Sequence, residues 1–342
     1  MYKKSRFGLM LSLAVVVMLL VAACGATEAP PETAVPTTAA QASPTAEVMA
    51  SPEAEASPTT EAMASPEAET DLGTDANPIV MSFVPSGDTQ EIIASGDEIA
   101  AAVSEATGLT IEANVGTDFA AVREAMCAGQ AHIGWLNTFN YVLANEVCGV
   151  DVGLVTERFG STTYTGQIIV GADSGIETLQ DLEGKVMCWV DPNSTSGYII
   201  PRIMLAAEGI DPDTAFARTL EAGSHNNVVI QVYNGECDAG ATFVDARSSV
   251  ETDFPDVNEK VVVLATTTDI PNDSVSFIQE FPAEMRQQVV DALLAFAGTE
   301  AGATALENLY SISGLQEAED SFYDEFRADL SRAGIDIEEL AE

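Results

Sequence analysis

The chain has 342 residues, with 54 Asp and Glu against 13 Lys and Arg, for a net charge of −41. So acidic a composition excludes a nucleic-acid partner, because releasing counterions from phosphates needs a basic patch that these few cations cannot build. The length allows two domains of ordinary size, but residues 1–77 do not read as foldable.

Met1 to Ala23 begins with Lys3, Lys4 and Arg6, continues as an apolar run from Phe7, and ends before Cys24 in Val21-Ala22-Ala23. A basic start, a short apolar core and small residues before a cysteine resemble a bacterial lipoprotein signal peptide, and Val21 to Cys24 match its lipobox. The resemblance implies cleavage before Cys24, lipid on its sulfur, and an extracytoplasmic protein anchored to the cell membrane; the alternative is a transmembrane helix kept uncut. Cleavage removes three basic residues and no acidic one, which takes the net charge from −41 to −44. From Gly25 to Asn77 the chain is rich in Ala, Pro, Thr, Ser and Glu, and Met49-Ala-Ser-Pro-Glu-Ala-Glu55 recurs as Met63-Ala-Ser-Pro-Glu-Ala-Glu69. Such a segment cannot bury enough apolar surface to offset its ordering entropy, so residues 24–77 are expected to be a disordered tether.

Pro78 to Val84 reads as an opening strand, and Ile92, Ile93, Ile99 and Val103 predict a helix stopped by Gly108. Leu109 to Val115 is a second strand, Asp118 to Ala128 a helix closed by Gly129, Ala131 to Leu136 a third strand, and Asn137 to Val147 a third helix. The alternation resumes after Tyr164 with a strand over Gly184–Val190, a helix over Tyr198–Glu208, a helix over His225–Asn234 and a strand over Asp238–Val244. Alternating strands and helices predict two α/β units with parallel sheets covered on both faces. After one more strand, Ser274 to Gln279, the rest reads as helices only: Pro282 to Ala297, Glu300 to Tyr310 and Gln316 to Ala333. If these return to the first unit, one domain is 78–165 with 275–342, and the other is 166–274.

The stretch Asp191-Pro-Asn-Ser-Thr-Ser-Gly-Tyr198 lies between a strand and a helix. The first N–H groups of a helix lack intrahelical acceptors and its dipole favours negative charge, so such a loop is an anion site. Ser194, Thr195 and Ser196 add neutral donors, and Gly197 lets a ligand approach the backbone; the bland alternative is that one hydroxyl only caps the helix. Ligands of open α/β sheets sit at the carboxyl ends of strands. The loops at Pro85-Ser86, Asp118-Phe119, Ser194–Gly197 and Asn272-Asp273 are expected there.

Besides Cys24 there are four cysteines, an even number that outside the cytoplasm suggests disulfides. Cys127 with Cys148 would close a helix–strand–helix unit, and Cys188 with Cys237 would join two strands. No Cys-x-x-Cys spacing occurs, so no metal site is expected, and no cofactor either.

Phe83-Val-Pro-Ser86, Thr117-Asp-Phe-Ala-Ala-Val122, the Asp191–Pro201 block, Gly223-Ser-His225 and Ile270-Pro-Asn-Asp273 together resemble the phosphate/phosphite/phosphonate-binding proteins of ABC transporters. These are type II periplasmic binding proteins of the phosphonate-binding class, and the resemblance runs from about Pro78 to about Ala297. It implies a two-domain α/β fold with a ligand cleft between the domains and delivery of a phosphonate, phosphite or phosphate to a membrane permease and its ATPase. Carried over residue by residue, it implies oxyanion contacts from Ser194, Thr195, Ser196 and Gly197, with His225 and Asp273. Phe119 stands where the family usually has an aromatic with a hydroxyl, and Tyr164 matches a second pocket tyrosine.

His132, Trp135 and Trp189 read as structural residues of strands. Two other functions use the same site: a sensor or receptor lobe for the same oxyanions, and a serine hydrolase built on Ser194 or Ser196 with His225 and an Asp. The second lacks a Gly-x-Ser-x-Gly elbow.

Overall fold

The computed structural model describes residues 71–337 and 340. The expected signal peptide, Cys24 and the repeats of the expected tether lie outside the described residues. The folded part starts before Pro78, where the tether was expected to end. Gly73 N–H donates to Asn77 O and Thr110 N–H to Gly73 O, each at 2.8 Å, so the turn over 71–77 is stitched to the approach of the second strand.

Strand β1 (Ile79–Phe83) leads into α1 (Thr89–Thr107), which starts where the Asp88 carboxylate accepts from the N–H groups of Gln90 and Glu91. The helix stops at Gly108, whose φ of 74° lies in the left-handed region that glycine adopts without strain. The alternation continues as predicted through β2 (Ile111–Val115), α2 (Phe119–Cys127), β3 (Ile133–Leu136) and α3 (Thr138–Cys148). Next come β4 (Asp151–Glu157), β5 (Thr163–Gly171), β6 (Val186–Trp189), α4 (Ile200–Ala207), β7 (Arg218–Glu221) and α5 (His225–Tyr233). They are followed by β8 (Ala239–Phe243), α6 (Val257–Lys260), β9 (Val261–Pro271) and β10 (Ser274–Phe277). The tail holds α7 (Ala283–Ala297), α8 (Glu300–Tyr310), β11 (Gly314–Glu317) and α9 (Asp324–Arg332).

The strands form a six-stranded sheet, ordered β11-β4-β10-β3-β1-β2, and a five-stranded sheet, ordered β7-β6-β8-β5-β9. Neither is purely parallel, contrary to the sequence expectation. β10 runs antiparallel between β3 and β4, and β5 runs antiparallel to β8 and β9. These strands enter directly from the other sheet, without the crossover helix that a parallel neighbour requires. The tail is not all helix either. β11 overlaps the start of the predicted Gln316–Ala333 helix and pairs with β4 at the sheet edge, where half-buried Gly314 and Leu315 followed by exposed Gln316 and Glu317 carry no strand pattern.

The chain passes between the sheets over 158–162 and again over 272–273. The two passages are tied to each other: Asn272 N–H donates to Thr162 O at 2.8 Å, and Asn272 Nδ2 to Ser161 O at 2.9 Å. Trp135 and Trp189 are buried core residues, and Nδ1 of His132 accepts from Val80 N–H at 3.0 Å beside β1.

Cys127 is bonded to Cys148 and Cys188 to Cys237, with Cα separations of 5.4 and 5.9 Å. The second bond joins β6 to the turn before β8 rather than to a strand, because β8 begins only at Ala239. Closing loops over sequence separations of 21 and 49 stabilises the fold by about 3 and 4 kcal/mol in the chain-entropy model. Mass mapping of unreduced peptides is expected to recover these two pairs; free thiols at these positions would contradict them.

Candidate functional site

The hydroxyl-rich loop is shaped by what it packs on. The Trp189 ring at the end of β6 meets Tyr198 at 5.5 Å and Phe216 at 5.8 Å, both edge-on, so the chain must turn back over the strand it has just left. The Asp191 carboxylate accepts from Asn193 N–H at 2.7 Å, and Ser194 Oγ accepts from Gly197 N–H at 3.2 Å. A π-type turn, Thr195–Ile199, then runs into α4. Ser194 therefore caps the turn with a lone pair, which leaves its proton free to donate. Gly197 stands where a Cβ would lie 2.3 Å from Val190 Cγ2, so glycine is required there by packing of the turn on the strand end. It does not line the cavity described next, although the sequence placed it against the ligand.

Ser194, Thr195 and Ser196 face a small cavity of about 10 Å³, roughly the room of one water. Phe119, Tyr164, His225 and Asp273 also line it, so the structure brings together every expected site residue except Gly197. Ser86, Asn137, Arg158 and Phe243 complete the wall. Of these, Ser86 lay in a loop expected at the cleft, whereas Asn137, Arg158 and Phe243 carried no sequence signal.

Arg158 is the charge the sequence reading missed. It follows β4 on one passage between the sheets, Asp273 lies on the other, and its Nη2 donates to Asp273 Oδ2 at 2.8 Å. Nε donates to Tyr310 O at 2.9 Å, and the guanidinium carbon lies 5.2 Å from the Tyr164 ring centre and 5.6 Å from that of Phe243. With Arg158 only 3% exposed and Nη1 lacking a protein acceptor among the described residues, a fixed positive charge borders the cavity. Burial raises the Asp273 carboxyl above its ordinary pKa, and Arg158 pulls it back. Its other oxygen, Oδ1, is buried with no hydrogen-bond partner.

His225 opens α5, where Ser224 accepts from Asn227 N–H as the cap, and its own N–H donates to Ser86 O at 3.0 Å. Ring atom Nδ1 lies 2.8 Å from Thr242 Oγ1, which leaves Nε2 without a protein partner. Burial, and then the nearby Arg158 charge, push its pKa down to about 3. The imidazole is therefore neutral throughout the physiological range rather than titrating near pH 6.5. Burial and then the Asp273 charge hold the Tyr164 hydroxyl well above its ordinary pKa, although Arg158, Ser196 and Thr138 oppose them; it stays a neutral donor.

No triad is assembled here, since His225 faces Thr242 and Asp273 is paired with Arg158. A far larger cavity, of about 800 Å³, opens between α4, β9 and α9, but it is mostly apolar and lacks convergent buried donors.

The sequence profile of the family described as "ABC transporter, phosphonate, periplasmic substrate-binding protein" matches residues 81–323. The chain belongs to this family. Its members are substrate-binding proteins rather than enzymes. This phosphonate-family chain is 31% identical over 175 residues to the phosphate-import protein PhnD of Mycolicibacterium smegmatis, a match covering 48% of this chain and 54% of that protein. It is 25% identical over 207 residues to the phosphonates-binding periplasmic protein of Escherichia coli, covering 59% of this chain and 61% of that one. The matches thus span between about half and three-fifths of these relatives' lengths.

Among solved structures, a binding protein component of an ABC phosphonate transporter from Pseudomonas aeruginosa superposes with a TM-score of 0.69 at 22% identity, covering 75% of this chain and 86% of that one. PhnD1 of Prochlorococcus marinus, solved in complex with methylphosphonate, gives 0.68 at 13% identity, covering 75% and 98%. At those identities the likeness concerns the fold, that of type II periplasmic binding proteins.

Proposed function

We propose that the residues around this cavity hold a phosphate, phosphite or small phosphonate once the lobes part enough to make more room than the one water the cavity now admits, and that this lipoprotein captures the anion outside the cytoplasm and hands it to an ABC permease and its ATPase. The observation that carries this reading is the buried Arg158, paired with Asp273 through Nη2 but with Nη1 left for a ligand, beside neutral donors in a chain of net charge −41. Salt screens the long-range acidic field within about 8 Å, so local donors decide binding. Ser194, Thr195, Ser196 and Tyr164 supply hydroxyls, neutral His225 supplies a ring nitrogen, and Phe119 closes one wall. The two sheets are the cores of two lobes, broadly 78–165 with 275–342 and 166–274, which open about the passages at 158–162 and 272–273 to admit the anion. The lipobox at Val21 to Cys24 supports an anchor at Cys24, with the repeats as tether.

Calorimetric titration of tether-free protein with phosphate, phosphite, methylphosphonate and aminoethylphosphonate tests the reading. Heat of binding is expected with at least one of the first three, and comparison with the last shows whether an ammonium-bearing tail is accepted. No heat and no thermal shift with any of the four would overturn it.

A further inference from the structure

The polar side chains beside the hydroxyl loop form one hydrogen-bond chain whose direction can be read from its ends. Arg123 can only donate, and its Nη1 gives to Asn140 Oδ1 and to Asn193 Oδ1, each at 2.9 Å. Asn140 then donates through Nδ2 to the Phe119 carbonyl at 3.1 Å and to Asn137 Oδ1 at 2.8 Å. Asn137 commits its Nδ2 to the Asn193 carbonyl and to Thr195 Oγ1, each at 2.8 Å. The Phe139 N–H donates to the same Thr195 oxygen at 3.0 Å. Carbonyls only accept and a guanidinium only donates, so neither amide can be flipped without opposing like groups.

Two features give this chain a purpose beyond packing. Asn137 occupies the N-cap position of α3 yet makes no capping bond with its side chain, which reaches the other sheet's loop instead. Both lone pairs of Thr195 Oγ1 are filled, so only its proton remains, and no protein acceptor takes it. That oxygen belongs to a residue lining the cavity.

We infer that Asn137 is a positioning residue that makes the Thr195 hydroxyl an obligate donor to a ligand oxygen; the inference rests on the cavity being an oxyanion site. Asn137 itself has no proton left for the anion and acts through Thr195. Because the donors sit on α3 and the acceptor on the loop after β6, separating the two sheets frees those lone pairs, and closing them aims the proton. The Thr195 corner therefore takes an unprotonated oxygen and rejects a P–OH or an ammonium, which would find no lone pair there.

The test is a double-mutant cycle by calorimetry with inorganic phosphate and methylphosphonate on wild type, Asn137→Ala, Thr195→Val and the double variant. Asn137→Ala is expected to weaken binding about tenfold beside Thr195, but less than about threefold beside Val at position 195. Equal losses in both backgrounds, or no loss in either, would overturn the relay while leaving the site reading intact. Should Asn137→Ala fail to fold, Arg123→Met breaks the chain at its far end, and the same dependence on Thr195 is expected; a loss indifferent to Thr195 counts against it. A wild-type protein that binds neither anion overturns the site reading and the relay together.

Discussion

Arg158→Met is expected to lower oxyanion affinity by roughly 100- to 10,000-fold, since two hydrogen bonds from a cation to a charged ligand contribute about 1.5–3 kcal/mol each. The same change leaves Asp273, 94% buried by its 6% exposure, without its partner. Removing one member of a buried pair typically costs about 3–5 kcal/mol of stability, so the single variant is expected to melt early as well as bind poorly. Adding Asp273→Asn removes the stranded charge and is expected to restore most of the stability. Affinity is not expected to return with it. Denaturant unfolding and calorimetry on the same three proteins separate the two effects. If the double variant binds as the wild type does, the loss in the single variant was structural and Arg158 is not the anion's counter-charge.

Asp273→Asn by itself is expected to change how binding depends on pH. One Asp273 oxygen faces Arg158, and the other is buried without a donor, so a ligand that keeps an acidic proton can give it there. A phosphate monoester loses its second proton near about pH 6, and an alkylphosphonate loses it at higher pH, because carbon on phosphorus withdraws less charge than oxygen. Affinity for methylphosphonate is therefore expected to fall as pH rises through that ionisation, and the asparagine variant is expected to flatten the fall and bind more weakly at the acid end. Burial and Arg158 lower the His225 pKa in the empty cavity, but a bound anion raises it, so the Asp273→Asn, His225→Asn double variant is the control. The effect of His225 on stability is separate. A histidine whose folded pKa lies below its unfolded value of 6.5 contributes stability above 6.5 that is lost as pH falls toward about 3. Melting temperature should therefore drift down with acid in both proteins alike, while only affinity distinguishes them. Equal affinity of the two across pH 5 to 8 would remove Asp273 from the ligand's contacts.

What the sequence determined by itself is everything with a short-range cause. The helix over Thr89–Thr107 could be read from its apolar spacing and from Gly108. The hydroxyl loop could be read because strand end, Ser-Thr-Ser and helix start are adjacent in the chain. His225 and Asp273, by contrast, were singled out only by the family resemblance of Gly223-Ser-His225 and Ile270-Pro-Asn-Asp273, since Pro-Asn-Asp by itself reads as a turn. Arg158 had no such neighbourhood. Its partners are 115 and 152 residues away, and Glu157-Arg158-Phe159 alone looks like the exposed end of a strand. Gly197 was read as room for a ligand because Val190, the side chain it must clear, lies across a turn whose shape no local pattern states. The antiparallel β5 and β10, and the edge strand β11, depend on which sheet the chain re-enters. Likewise the neutral His225 and the single-direction chain from Arg123 to Thr195 exist only once the two sheets meet, because desolvation and hydrogen-bond saturation are properties of the surroundings that tertiary contact creates.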